Sequence, residues 1–201
     1  MEVKSISFIF KGERNYVQGP DLFNEMMQVF MGKELSNIRF TAHEFISVPK
    51  GLIYSSIEKE ELNEIKNADT RCQLNVDGIT QWLAISADTK ANSIEIKRQE
   101  YDEEKLIKKC NISQENVILS GDSPYTFIET IVSMNKYLLQ NIFPNISGKW
   151  IFTRIDLVKF STATTGLSLQ FKHNMNFRLT KSDILVDGEK IGELYFSLVK
   201  S

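Results

Sequence analysis

"GPDLFNE" (residues 19–25) and "SPYTFIE" (residues 123–129) share the pattern Pro-x-x-Phe-x-Glu, and this repetition decides the fold that the sequence predicts. Two further matches follow in the same order. "NIRFTAHEF" at 37–45 resembles "KWIFTRIDL" at 149–157, and Val-Asp-Gly occurs at 76–78 and again at 186–188. The three offsets are 104, 112 and 110 positions (124 − 20, 152 − 40 and 186 − 76). Near-constant offsets predict two copies of one unit.

Each copy predicts the same series of elements. A short strand, "VKSISFIF" or "NVILSG", precedes a helix whose first turn accepts proline because that position needs no N–H donor. Ser123 is the expected N-cap before Pro124. Alternating apolar residues then predict strands, and each Asp-Gly pair predicts a hairpin, since a type I′ turn needs two residues with positive φ. The pattern predicts an α+β protein.

The predicted boundaries place the first unit at 1–87, a charged linker at 88–115 and the second unit at 116–201. Within the first unit, the charged stretch at 55–70 predicts a short helix, and the stretch at 101–116 predicts a helix or a connection. Both are expected to be solvated surface with ion pairs between residues i and i+4.

Composition narrows the classes of partner. The 201 residues are 42% hydrophobic and 25% charged with a net charge of −2, so no basic field attracts a phosphate backbone and no nucleic-acid partner is expected. No apolar run reaches the roughly 18 residues of a membrane helix, and the N-terminal residues do not resemble a signal peptide. Two lone cysteines, Cys72 and Cys110, complete the expectation of a cytoplasmic protein.

One strand, one long helix and several antiparallel strands, present twice, resemble the tandem (double) hotdog arrangement. In that fold a long helix lies in the curl of an antiparallel sheet, and the superfamily includes acyl-CoA thioesterases and 3-hydroxyacyl-thioester dehydratases of fatty-acid and polyketide synthesis. The resemblance implies an enzyme acting on an acyl thioester of coenzyme A or acyl carrier protein, without a further cofactor. Two units that pair within one chain suit a monomer, and a homodimer of such chains is equally open.

The sequence departs from the dehydratases of that superfamily at one place. They typically carry a His in a His-x-x-x-Gly-x-x-x-x-Pro stretch before the helix, whereas "RNYVQGPDLF" at 14–23 and "SGDSPYTFIE" at 120–129 contain none. The same fold could therefore serve a non-catalytic acyl-ligand-binding or scaffolding protein. An α+β ligand-binding domain of another topology is a third reading.

The helix starts suggest a chemistry for the catalytic reading. A helix that begins with Gly19-Pro20 leaves two or three N–H groups at its positive end, where they could bind a thioester oxygen. Glu25 and Glu129 border the apolar stripe, and partial burial would make either a general base. Asp21, in the first helical turn, is a further proton carrier. The alternative for the three carboxylates is structural, as helix-edge or helix-start residues.

Other polar and apolar residues complete the predicted site. Gly19, Tyr16, Ser123 and Tyr125 could contact the thioester, although both tyrosines could equally serve as packing. Five apolar residues of the helices are expected to line an acyl tunnel: Met26, Met27, Phe30, Phe127 and Met134.

The two histidines lie apart. His43, in "FTAHEF", is a candidate catalytic proton carrier because imidazole titrates near neutral pH. His173 alternates with apolar residues and is expected in a core or an interface. Two scattered His and two scattered Cys make no zinc-ligand spacing, so no metal is expected.

Overall fold

The computed structural model describes residues 1–42, 45–63, 65, 68, 70–89 and 96–199. It separates into two compact units, Met1–Tyr101 and Asp102–Ser201. The segment interpreted as a linker from the sequence, 88–115, is shared between the two, and its last part forms a helix and a strand of the second unit.

Among its described residues, the first unit contains a five-stranded antiparallel sheet and two helices. The sheet has the order β1-β4-β6-β5-β3, and a separate parallel pair joins β2 to β7. The elements in chain order are β1 (Glu2–Ser7), β2 (Phe10–Lys11), α1 (Gly19–Gln28), β3 (Leu35–Ala42), β4 (Lys50–Ser56), α2 (Lys59–Asn63), β5 (Thr70–Val76), β6 (Ile79–Ala87) and β7 (Arg98–Gln99).

The second unit contains a six-stranded antiparallel sheet and two helices. Its strand order is β8-β9-β11-β12-β13-β10. The elements are α3 (Glu103–Ile107), β8 (Cys110–Ser113), β9 (Asn116–Leu119), α4 (Phe127–Ile142), β10 (Lys149–Lys159), β11 (Leu167–Met175), β12 (Leu179–Val186) and β13 (Glu189–Val199).

Strands β5 and β6 of the first unit, and β12 and β13 of the second, form the hairpins that the sequence predicted. The turn residues Asp77 and Gly78 have φ of 49° and 84°, and Asp187 and Gly188 have φ of 50° and 81°. Positive φ at both central positions is what a type I′ turn requires. The Asp-Gly prediction is confirmed at both places.

The two hairpins enter their sheets in opposite senses. In the first unit β5, the earlier strand of the hairpin, lies beside β3, the strand that follows the helix. In the second unit β13, the later strand, lies beside the corresponding strand β10. The connection from β4 to β5 covers residues 57–69 and includes α2, whereas only 176–178 join β11 to β12. The longer connection leaves room for β5 to lie beside β3, so that β6 and not β5 pairs with β4.

The two main helices begin at different points of the repeated motif. Pro20 lies in the first turn of α1, as predicted. The prediction that Ser123 caps α4 was wrong, because α4 begins at Phe127 with Thr126 as its N-cap. Thr126 and Glu129 form a capping box, a stronger helix-start signal than a Ser-Pro pair.

Each helix buries an apolar stripe. In α1, Leu22, Phe23 and Met26 are at most 1% exposed, and the Phe23 ring contacts Phe40 of β3 edge to face, with 5.4 Å between ring centroids. In α4, Ile131 and Met134 are fully buried, and the helix contacts β9, β10 and β11. Burial of each large side chain stabilises the fold by about 1.5–3 kcal/mol.

No helix within the described ranges is long and apolar enough to cross a membrane.

Candidate functional site

The loop that leads into α1 is held from the end of its own unit. Arg98 of β7 donates from Nη1 to the carbonyl oxygens of Gly12, at 2.8 Å, and of Arg14, at 2.9 Å. The pairing of β2 with β7 brings these residues together, since Phe10 lies opposite Arg98 and Lys11 opposite Gln99. These hydrogen bonds therefore hold the loop that precedes α1 in place.

Asp21 is joined to a buried lysine at the start of α1. Lys11 is 8% exposed, and its ammonium group forms an ion pair with the Asp21 carboxylate. The same ammonium lies 5.5 Å from the ring centroid of Tyr101, which attracts it through the face of the ring. The ion pair engages the Asp21 carboxylate, so Asp21 is suited to positioning the start of α1.

The backbone of α1 offers fewer free donors than the sequence suggested. The N–H groups of Asp21 and Leu22 both donate to the Gln18 carbonyl, at 3.0 and 3.2 Å, and Pro20 has no N–H. Gly19 is thus the first-turn residue whose N–H has no acceptor within the helix. The expected two or three amides reduce to one, because the first turn tightens onto Gln18.

Glu25 is a candidate carboxylate with a raised pKa. It is half-buried on the seventh residue of α1, and desolvation by burial raises the pKa of its carboxyl group. Lys4 opposes this effect and lowers the pKa, whereas the charge of Asp21 adds to the increase. A carboxylate with a raised pKa and partial exposure suits a general base.

Glu129 has a different environment from its counterpart in the repeat. It is 6% exposed on the third residue of α4, and its Oε2 accepts from the Thr126 N–H at 2.9 Å and from Thr126 Oγ1 at 2.5 Å. These bonds make the capping box. The carboxylate is engaged in starting the helix, so the repeat does not supply two equivalent bases.

Ser123 and Tyr125 are bonded within the second unit. Ser123 Oγ lies 2.6 Å from Thr130 Oγ1 and accepts from the Tyr125 N–H at 3.1 Å. The Tyr125 hydroxyl donates to the Asp102 carbonyl at 2.7 Å and accepts from the Asp102 N–H at 3.2 Å. These contacts order the segment before α4.

The remaining predicted residues are aromatic, apolar or histidine. The Tyr16 ring packs against Phe45 with 4.5 Å between centroids. Phe30 follows the end of α1 and is half-buried. Met26, Met27, Phe127 and Met134 are all at most 4% exposed, and the acyl tunnel that they were expected to line stays a prediction.

The histidine expectations have different outcomes. His43 lies outside the described residues. His173 is exposed, so its expected place in a core is wrong, and its place in an interface stays a prediction. The register of β11 against β12 shifts between Phe171 and His173, and this bulge turns His173 to the surface. No group of three or more metal-ligand side chains occurs among the residues that the structure describes.

Two clefts open where the sequence suggested no site, and Glu25 and Glu129 line neither. The larger, about 500 Å³, lies over β11, β12 and β13. It includes His173 and Tyr195 and three lysines that pair with Asp183 or Glu193: Lys172, Lys181 and Lys190. The smaller, about 190 Å³, lies between α2 and the first sheet. Alternation along each strand predicts which charged residues face outward. It does not predict which of them from different strands line one cleft.

Comparison with solved structures identifies the fold. The dehydratase domain of PpsC from Mycobacterium tuberculosis, in complex with C12:1-CoA, matches 98% of this chain and 93% of its own, with a TM-score of 0.52 and 6% identity. A putative thioesterase II from Thermobifida fusca matches 98% and 92%, with a TM-score of 0.51 and 8% identity. A putative thioesterase from Novosphingobium aromaticivorans matches 98% and 95%, with a TM-score of 0.50 and 8% identity. The chain has a hotdog fold.

The hotdog fold confirms the α+β class and the resemblance that the repeat suggested. No protein-family model and no curated protein sequence matches the chain. At 6–8% identity the similar structures provide the backbone plan but do not assign roles to individual side chains.

Proposed function

We propose that this protein is a tandem hotdog enzyme that acts on an acyl thioester of coenzyme A or acyl carrier protein. Its two hotdog units would be 1–87 and 116–201, joined through 88–115. The support is a fold shared over 98% of the chain with putative thioesterases and with a dehydratase domain in complex with an acyl-CoA. Repetition of strand, helix and antiparallel strands in both units supports the tandem arrangement.

The raised pKa of Glu25 carries the catalytic part of the proposal. Glu25 follows Gly19 by six residues, which is about 9 Å along a helix that rises 1.5 Å per residue. Helical side chains lean towards the N-terminus, so the Glu25 side chain leans towards the end of α1 that carries the Gly19 N–H. The two residues lie roughly 120° apart around the helix axis, so a thioester carbonyl must approach across the start of α1 to meet both the base and the oxyanion donor.

Hydrolysis fits these groups better than dehydration. Glu25 removes a proton from water as the oxygen attacks the carbonyl carbon, and the oxyanion accepts a hydrogen bond from the Gly19 N–H. When the carbonyl re-forms, the carbon–sulfur bond breaks and the protonated Glu25 returns the proton to the thiolate. Dehydration needs a separate acid for the departing hydroxyl, and the Asp21 carboxylate of the same helix is engaged in an ion pair with Lys11.

A panel of acyl and 3-hydroxyacyl thioesters of coenzyme A tests the proposal. We expect release of free thiol, and we expect Glu25→Gln to lower kcat by about 100-fold or more, as loss of a general base does. Glu104→Gln is the matched control, because this glutamate is also helical but its side chain is 82% exposed. Unchanged kcat in Glu25→Gln would remove Glu25 from the mechanism.

Binding without catalysis is the second candidate function. Its support is the structural use of two predicted catalytic carboxylates, Glu129 in the capping box and Asp21 in an ion pair. The chain would then hold an acyl ligand or act as a scaffold. Mass spectrometry of the purified protein for a retained acyl ligand, together with absence of turnover across the panel, would favour this function over hydrolysis.

The proposed compartment is the cytoplasm, and the proposed oligomeric state is a monomer or a homodimer. Cys72 and Cys110 are free cysteines, which suits a reducing cytoplasm. A monomer whose two units pair internally, or a homodimer of such chains, would both hold the proposed site.

A further inference from the structure

The buried stripe of α4 contains an amide side chain. Asn135 is fully buried, and three residues one helical turn from it are fully buried aliphatic residues: Ile131, Leu138 and Leu139. The amide therefore lies in the middle of the apolar stripe, where a polar group normally has a partner. Neither Oδ1 nor Nδ2 of Asn135 forms a hydrogen bond with the residues that the structure describes.

Other polar side chains of the second unit show how such groups are usually satisfied. Asn141, further along α4, donates from Nδ2 to the Tyr137 carbonyl at 2.8 Å. Thr180 of β12 is fully buried and donates from Oγ1 to the Phe196 carbonyl at 3.2 Å. Asn135 makes no such bond within the described ranges. Its amide is therefore an exception in a core that otherwise pairs its polar groups with backbone carbonyls.

A second polar group of this kind lies in the sheet of the same unit. Ser182 of β12 is fully buried, and its Oγ forms no hydrogen bond with a described residue. In the strand register it stands between Phe171 of β11 and Leu194 of β13, which are both buried. The helix α4 contacts β11 of this sheet. The helix and the sheet thus each enclose one polar group among apolar side chains.

The amide of Asn135 indicates a ligand group that both donates and accepts hydrogen bonds. Burial of an amide without hydrogen bonds is unfavourable, so this residue destabilises the free protein unless a bound group satisfies it. The amide oxygen accepts and the amide nitrogen donates, and a hydroxyl group can do both in return. A plain hydrocarbon chain would leave both atoms unpaired.

We propose that Asn135 binds a hydroxyl group within the hydrocarbon part of the substrate's acyl chain. This inference rests on the proposed acyl-thioester function, and it names the substrate class as a chain hydroxylated away from the thioester. The aliphatic residues around Asn135 suit hydrocarbon on either side of that hydroxyl. Because both amide atoms are enclosed, the ligand reaches them when neighbouring apolar side chains move aside. A site that hydrogen-bonds a substrate hydroxyl rejects the chain without it, because the buried polar group is then left unpaired.

Binding of non-hydrolysable thioethers of coenzyme A to the full chain tests this preference. One probe carries a plain saturated alkyl chain, and the others carry one hydroxyl each at successive positions along the same chain. Isothermal titration calorimetry should show a mid-chain isomer binding at least about tenfold more tightly than the plain chain. Equal or tighter binding of the plain chain, or a preference for the 3-hydroxy isomer alone, would overturn this inference and leave the acyl-thioester function standing. Failure of every thioether to bind would count against both.

Substitution of Asn135 separates ligand binding from a structural role. Asn135→Ala and Asn135→Leu bracket the size of the side chain and remove the unpaired amide, so at least one of them should raise the melting temperature. The same two changes at Asn141, which is exposed in the same helix, control for helix propensity and should raise it less. The more stable Asn135 variant should bind the plain and the hydroxylated chains equally. Melting temperatures of both Asn135 variants at or below those of the matched Asn141 variants, or a retained preference, would overturn the proposal.

Discussion

Glu25 and Glu129 occupy the same place in a repeated motif and have different physical roles. Glu25 is the seventh residue of its helix and Glu129 the third, because the two helices begin at different points of the motif. A first-turn glutamate can reach back to the N-cap, whereas one two turns along cannot. The sequence identified both carboxylates, but their roles depend on where the helix begins.

Ionisation of Glu25 should reduce the stability of the fold. Burial raises its pKa above the ordinary 4.5, so the folded state binds the proton more tightly than the unfolded state. The contribution is therefore favourable at low pH and is lost as pH rises through the raised pKa. Compared with the parent, Glu25→Gln should gain free energy of unfolding at about pH 7 more than at about pH 4 in urea titrations. An equal difference at both pH values would contradict the burial argument.

Glu193 should show the opposite dependence. Hydrogen bonds from Lys190 and Tyr195 hold the pKa of its carboxyl group at about 2, below the ordinary 4.5. Its contribution is present above the unfolded pKa and is lost as pH falls from 4.5 towards 2. Glu193→Gln should therefore lose less stability than the parent over that acid range, measured by thermal melting. Glu60→Gln, an exposed glutamate of α2, is the control and should follow the parent.

At the scale of elements, the start of α4 depends on the Thr126–Glu129 pair. Glu129→Ala removes the acceptor for the Thr126 N–H and should reduce the free energy of unfolding by about 1 kcal/mol, a typical capping loss. Glu129→Gln retains an acceptor and should lose less. Denaturant unfolding of the two variants measures the difference. If both lost the same stability, the carboxylate charge and not the cap would be the stabilising feature.

Local sequence patterns predicted the turns and helices well. They did not predict features that depend on how distant strands pair. Asp-Gly turns and the apolar periodicity of α1 act over a few residues, so the sequence was sufficient to place them. The bulge at Phe171/His173 and the turn at Asn176 and Phe177, both at positive φ without glycine, depend on how β11 meets β12. The Thr-x-x-Glu pattern at 126–129 indicates a cap at Thr126. The nearby Ser123-Pro124 pair led to the wrong prediction that Ser123 is the cap.

At the scale of the whole molecule, the repeat was sufficient to predict the hotdog fold. The order of strands and helices is shared with the similar structures even at 6–8% sequence identity. A ligand of the proposed class should bind the whole chain whether or not it turns over. A non-hydrolysable acyl thioether of coenzyme A is expected to raise the melting temperature with concentration, since it binds only the folded state. Coenzyme A without the acyl chain is the control and should raise it less. No shift with either compound would count against both proposed functions.

The exchanged hairpin of the first unit has a consequence for how the chain reaches its native state. In the second unit β11, β12 and β13 pair with their neighbours in sequence, so the sheet can grow hairpin by hairpin. In the first unit β4 pairs with β6 and β3 with β5, each across an intervening strand. Closing longer loops before contacts reward them slows folding. Three of the four described pairings in the first sheet join strands that are not neighbours in sequence, against two of five in the second, so we expect the first unit to complete its sheet later.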